Sequence, residues 1–339
     1  MTTDLNNIPF DTELSPGAHN AVFVCLKVLP SEKVTLITDY ACTEIAASLV
    51  SELNECGCIY RSFVLEDLAP RPLTDMPLQI LDDMATSQVS IFAVQAQPNE
   101  LKTRMQMTEV VNRNKIRHAH MVNIEKKIML EGMRADFQQV DDLTLRVMNV
   151  AKKARTIRAT TPVGTDIRAE LTSDYKWIKT SGIISREKWG NLPGGETFTS
   201  PLGVNGTFVV DGVVGDYLCS KFGDLRETPL TLIVAGNRLV EARSENKELR
   251  EEFWNYTHRD ENSDRVGEFA IGTNLACTRV VGNILQDEKI PGVHMAFGDP
   301  YGAHTGAPWT STTHIDVVGR NFDIWADDIQ IMRGGRFLI

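Results

Sequence analysis

The chain contains no run of apolar residues near the roughly 18 that a membrane-spanning helix needs, and it has no surplus of positive charge. Its formal net charge is -10, whereas affinity for nucleic acid through neutralised phosphates requires clustered Lys and Arg. The N-terminal stretch MTTDLNNIPFDTELSPG carries acids and no apolar core, so it reads neither as a secretory signal nor as a transit peptide. Cysteines are sparse, six in 339 residues, and outside a secretory context they read as buried or free thiols. The close pair Cys56-Gly57-Cys58 has no second pair at the spacing of a structural zinc site. Phosphate-binding glycine patterns are also missing, with no GxxxxGK[ST] and no GxGxxG following a strand. These absences lead to the expectation of a cytoplasmic chain with no membrane and no nucleic-acid partner. A hydrophobic content of 42% over this length allows a large core, usually divided between two domains.

The pattern changes character near residue 155. Before it, Lys33 to Asp39, Cys58 to Val64, Val89 to Val94 and Ala119 to Ile124 read as short buried strands. Helix-length segments separate them, such as Tyr40 to Glu55 with Ile45, Ala46, Leu49, Val50 and Leu53 at helical spacing. Strands alternating with helices predict βαβ units and a parallel sheet. Asp136 to Ala154 reads as a long helix with acids near its start and lysines near its end. After it glycines crowd in, and short alternating strands are predicted around 166–171, 206–210, 230–235, 267–273, 292–298 and 313–318. The fold class expected is an α/β N-terminal domain with a parallel sheet, residues 1–155. A β-rich α+β domain, residues 156–339, follows and holds a metal site.

Within that second half, strand alternation sorts residues by face. In Thr313-His314-Ile315-Asp316-Val317 an imidazole and a carboxylate share one face, and Ile315 and Val317 take the other. In Gly292-Val293-His294-Met295-Ala296-Phe297-Gly298, His294 shares its face with Ala296 and Gly298, which leave room around the ring. Gly267-Glu268-Phe269-Ala270-Ile271-Gly272 repeats the scheme, with Glu268 beside Ala270 and Gly272. Glu196, in LPGGETFTSP, lies on or just after a glycine-rich turn where backbone can approach a ligand closely. Taken singly, each has a structural explanation: a hydrogen-bonded strand histidine, a solvated glutamate, an ordinary turn. Together they offer five metal-ligand side chains, and a histidine and a carboxylate on one strand face are costly to bury without a cation. Two divalent ions carry four positive charges, which three carboxylates and one hydroxide balance. Oxygen and nitrogen donors without sulfur suit zinc, cobalt, manganese or iron.

The stretches LPGGETFTSP, GEFAIGTN, LQDEKIPGVHMAFGDPYG and STTHID, with TTPVGTDIRAEL ahead of them, resemble the aminopeptidase T family of thermophilic-type metallo-aminopeptidases. The resemblance is specific over about residues 160 to 339 and general before that. It implies a dinuclear site with Glu196, Glu268, His294, His314 and Asp316 as ligands, Asp316 bridging and Tyr301 as the active-site tyrosine. It also implies a homodimer and an N-terminal α/β domain. The chain is shorter than typical members, and the compact segment GDPYGAHTGAPW offers an additional His304. The substrate expected is a peptide or small amide, with Tyr301 stabilising an oxyanion and Glu196 or Glu268 moving a proton. The alternatives are a mononuclear non-haem iron ring-cleaving dioxygenase of the same fold, a hydrolase of a non-peptide amide, and an inactive metal-binding or structural dimer. The first of these would use His294, His314 and Asp316 alone.

Overall fold

A computed structural model describes residues 3–339. Met1 and Thr2, which open the acidic N-terminal stretch, lie outside the described residues. The chain divides into two compact units, Met1–Gln138 with Gly182–Gly194, and Gln139–Ser181 with Gly195–Ile339.

The first unit is built on a parallel sheet in the order Ile59–Val64, Lys33–Thr38, Val89–Val94, Arg117–Val122, with the two-residue strand Gly190–Asn191 at its far edge. Helices Thr43–Cys56, Leu78–Ala85 and Leu101–Asn114 lie between these strands in the chain, as parallel pairing requires, since a tight hairpin cannot reverse direction twice. The Val89–Val94 strand is buried along its whole length, which explains why it reads as a continuous apolar run rather than an alternating one. Helix Thr43–Cys56 ends where Gly57 turns left-handed at φ 71, a conformation that costs glycine little.

The second unit pairs two antiparallel sheets. One has eight strands, in the order Arg238–Arg243, Leu230–Ala235, Gly203–Val210, Asp166–Glu170, Thr156–Thr160, Asp323–Ala326, Ile329–Arg333, Arg336–Phe337. The other has five, in the order His314–Val318, Gly292–Gly298, Val266–Gly272, Glu196–Thr199, Ile178–Thr180. Residues of both enter one core: Ile157, Ile167, Val204 and Phe208 from the first, and Phe269, Ile271, Met295, Phe297 and Val317 from the second. Each large side chain buried this way contributes about 1.5–3 kcal/mol.

All six strands expected in the second half are present, shifted by at most three residues at their ends. The expected division at residue 155 differs from the compact units in two respects. Helix Phe137–Ala151 carries Leu143, Val147, Met148 and Ala151 into the core of the second unit, so that unit takes the helix almost from its start. Residues Gly182–Gly194 return to the first unit and supply its edge strand. The six cysteines are buried thiols. Among the described residues no helix is long and apolar enough to cross a membrane.

Candidate metal centre

The five-stranded sheet explains why donors far apart in sequence meet. Glu268 lies opposite Ala296, which lies opposite Asp316 on its other side. Ala270 lies opposite His294, Gly298 opposite His314, and Gly272 opposite Glu196. Directly paired residues share a face, so all five donors project from one side of the sheet, each with an alanine or glycine beside it. The residues between them, Phe269, Ile271, Val293, Met295, Phe297, Ile315 and Val317, supply the core on the opposite side.

The glycine-rich turn before Glu196 packs closely against a neighbouring segment of the chain. Gly195 has φ +131, and a Cβ there would sit 2.6 Å from the Cβ of Asn274. Its close approach is thus to the neighbouring segment, where its carbonyl accepts from Thr273 N–H at 2.8 Å. Glu196 is the first residue of its strand.

Nε2 of His294 lies 3.4 Å from Oε2 of Glu196 and 3.4 Å from Oε1 of Glu268. Nε2 of His314 lies 3.9 Å from Oε2 of Glu268 and 3.5 Å from Oδ1 of Asp316. Nδ1 of His314 donates to the Asp299 carbonyl at 2.9 Å, which leaves Nε2 as the atom for a ligand, the arrangement usual for metal-binding histidines. Oε2 of Glu196 and Nε2 of His294 are buried with no hydrogen-bond partner among the described residues. Burying such atoms unpaired is costly, and a cation between them removes the cost. Donor atoms of Glu196, Glu268 and His294 lie within 4.8 Å of one another, as do those of Glu288, His294 and Asp316. This donor set fits divalent cations.

Burial opposes charge on every donor, and its neighbours decide the outcome. Burial would raise Glu196, but Lys289 and His294 hold it below the usual carboxylate range. At Glu268 burial prevails over the imidazoles and the pKa rises. Burial would lower His314, yet Asp316, Glu268 and the Asp299 carbonyl hold it at about 10. Burial, reinforced by the charges of Glu196 and Asp316, leaves Glu288 at about 8 although Lys289 opposes the shift.

Tyr301 lies at the rim in the left-handed region, at φ 51, where a side chain other than glycine is strained. Its N–H donates to Oδ1 of Asp299 at 2.9 Å, and its ring centroid is 4.5 Å from that of His314. Asp299 therefore serves two expected site residues, His314 through its carbonyl and Tyr301 through its carboxylate. Enclosure of the phenol and the charges of Glu268, Asp316, Glu288 and Glu196 raise Tyr301 well above its ordinary pKa. His304, in the short helix Gly302–Thr305, is exposed.

Two residues at the site escaped the sequence reading. Glu288 and Lys289 follow the short helix Ile284–Asp287 as part of an Asp-Glu-Lys run that resembles a solvated helix end. The only signal was their position inside a stretch already matched to the family.

Carboxylates and imidazoles gathered on the cleared face of an antiparallel sheet define a metalloenzyme. The chain belongs to the thermophilic metalloprotease family M29, whose profile matches residues 134–333, more than half of its length. Among solved structures it is similar to wild-type AmpT from Thermus thermophilus, at 17% identity and a TM-score of 0.72, covering 98% of this chain and 100% of that one. It is also similar to the 2,5-dihydroxypyridine dioxygenase of Pseudomonas putida KT2440, at 14% identity and a TM-score of 0.68, covering 96% of each chain. No curated protein sequence matches it. The two structural likenesses show the fold, a parallel α/β unit joined to an antiparallel one, and the family makes the chain a metallopeptidase.

Proposed function

We propose that the chain is an aminopeptidase that removes the N-terminal residue of peptides with two divalent cations held by Glu196, Glu268, His294, His314 and Asp316. The observation that carries this reading is the pair of buried, unpartnered donor atoms, Glu196 Oε2 and His294 Nε2, 3.4 Å apart, with Glu268 linking His294 to His314 and Asp316 beyond it. Held by these residues, two ions would supply polarisation of a scissile carbonyl and acidification of a water molecule. Zinc, cobalt, manganese and iron all suit these donors.

The chain's own groups supply the rest. The Tyr301 phenol, kept protonated by its surroundings, donates a hydrogen bond to the oxygen that becomes negative as the carbonyl turns tetrahedral. A glutamate takes the proton lost by water and returns it to the leaving amine. Glu196 and Glu268 are candidates, and Glu288, whose Oε1 the Lys289 ammonium contacts, joins them. The expected homodimer and cytoplasmic location belong to the same proposal.

His294, His314 and Asp316 also satisfy the two-histidine, one-carboxylate pattern of iron oxygenases, and the likeness to a dioxygenase fold favours that as a second reading. Glu196 and Glu268 oppose it, since both reach His294 Nε2 and crowd the positions oxygen requires. Metal content per chain, measured with a screen of aminoacyl amides and short peptides in air and under anaerobic conditions, separates the two. Two ions per chain with oxygen-independent release of N-terminal residues support the aminopeptidase. One iron per chain with oxygen-dependent ring cleavage overturns it.

A further inference from the structure

We propose that Lys289 is the positioning residue of the pocket, a fixed cation that leaves Glu196 a single free oxygen for a metal ion. The proposal rests on the metal-site reading above and adds a residue to it. Lys289 is wholly buried, and a buried ammonium is tolerated only when charged partners surround it. Its Nζ lies 2.7 Å from Oε1 of Glu196 and also contacts Oε1 of Glu288. The Thr180 hydroxyl donates to the same Glu196 oxygen at 2.8 Å. Oε1 of Glu196 is thereby occupied twice, and Oε2 is the oxygen that remains unpartnered and faces His294. Glu196 is thus presented as a single donor with a fixed direction.

The backbone puts the ammonium there. Gly272 pairs with Glu196, and a Cβ on Gly272 would lie 2.1 Å from the carbonyl oxygen of Ile290 and 2.9 Å from the carbonyl carbon of Lys289. The segment carrying Lys289 therefore lies directly against the strand at the level of Glu196. The Lys289 N–H donates to Gln286 at 2.8 Å and its carbonyl accepts from Asn274 at 3.0 Å.

The test measures zinc and cobalt(II) affinity of the full chain by competition with a chromophoric chelator, and ions per chain by elemental analysis, for wild type, Lys289→Met and Thr180→Val. A folded Lys289→Met is expected to bind zinc about 10- to 100-fold more weakly, with Thr180→Val moving the same way by less. Unchanged affinity in folded Lys289→Met overturns the proposal. Tighter binding also overturns it, because the ammonium would then be a competitor of the ion. If Lys289→Met fails to fold, Thr180→Val decides: weaker binding supports the assignment and wild-type affinity refutes it. A wild-type chain that binds neither metal refutes the underlying metal-site reading, a result distinct from a wild type that binds normally and variants that do so equally well.

Discussion

Acid should unfold the first unit because it holds two imidazoles that cannot take a proton while buried. His118 is fully buried, its Nδ1 2.8 Å from the Ser90 hydroxyl and its Nε2 3.2 Å from Nδ1 of His120. Burial lowers His118 to about 3, and burial with the neighbouring His118 and Arg104 charges moves His120 well below its ordinary value. In the unfolded chain an imidazole titrates near 6.5. Between pH 6.5 and about 3 the unfolded state therefore binds the proton and the native state does not, so stability is complete above 6.5 and falls as pH falls. Each pH unit well inside that window costs about 1.4 kcal/mol per imidazole, and His118 alone costs roughly 2 kcal/mol between pH 8 and pH 5. His120 adds to this in the same direction. The assay is urea unfolding at fixed ionic strength from pH 8 to pH 5. It is followed through Trp189, the one tryptophan of the first unit, whose ring centroid is 6.0 Å from that of His118 and 5.5 Å from that of His120. The double variant Ser90→Ala with His118→Leu should lose about half of the pH dependence. A wild-type stability that stays flat down to pH 5, or a double variant with an undiminished slope, refutes the reasoning.

Three further outcomes follow from the metal centre. Tyr301→Phe should keep wild-type metal content and lose roughly 10²- to 10³-fold in kcat; unchanged kcat toward a peptide amide removes the tyrosine from the chemistry. Asp299→Ala frees the N–H groups of Tyr301 and Ser311, which its carboxylate accepts at 2.9 and 3.3 Å, and should reduce kcat about 10- to 100-fold, with Asp299→Asn in between. Steady-state kinetics of both variants beside a chelator-competition assay test this, and equal kcat in the alanine variant and wild type contradicts it. Gly195→Ala meets both a φ of +131 and the Asn274 side chain at 2.6 Å, so calorimetry should show a lower Tm, equivalent to about 1–3 kcal/mol.

The parts of this molecule that the sequence revealed are those with a simple period. His294, Glu268, His314 and Asp316 sit in strands whose alternate residues are large and apolar, so the polar face could be identified one strand at a time. The antiparallel register that brings those faces together was not legible, because pairing depends on which strands become neighbours. Glu196 and Tyr301 stood out through motifs rather than period, and Tyr301 adopts a left-handed conformation that no propensity assigns to tyrosine. Glu288 and Lys289 were missed because a charged run after a short helix follows no alternation, and its burial comes entirely from tertiary contacts. The edge strands Ile178–Thr180 and Gly190–Asn191 are too short to leave a pattern. The helix Phe137–Ala151 was found readily, but which unit its apolar side joins depends on partners distant in sequence.

Even-numbered residues of four adjacent strands hold every expected donor, and in the strands Val266–Gly272, Gly292–Gly298 and His314–Val318 odd-numbered residues hold the apolar layer beneath them. Sliding any one of these three strands by a single position would turn its donors into the apolar layer and its large apolar side chains into the pocket. A misaligned chain thus loses its core and its ligands in the same event, leaving no stable decoy with half a binding site. Capture of metal by this sheet would accordingly serve as a direct report that its strands have found their proper partners.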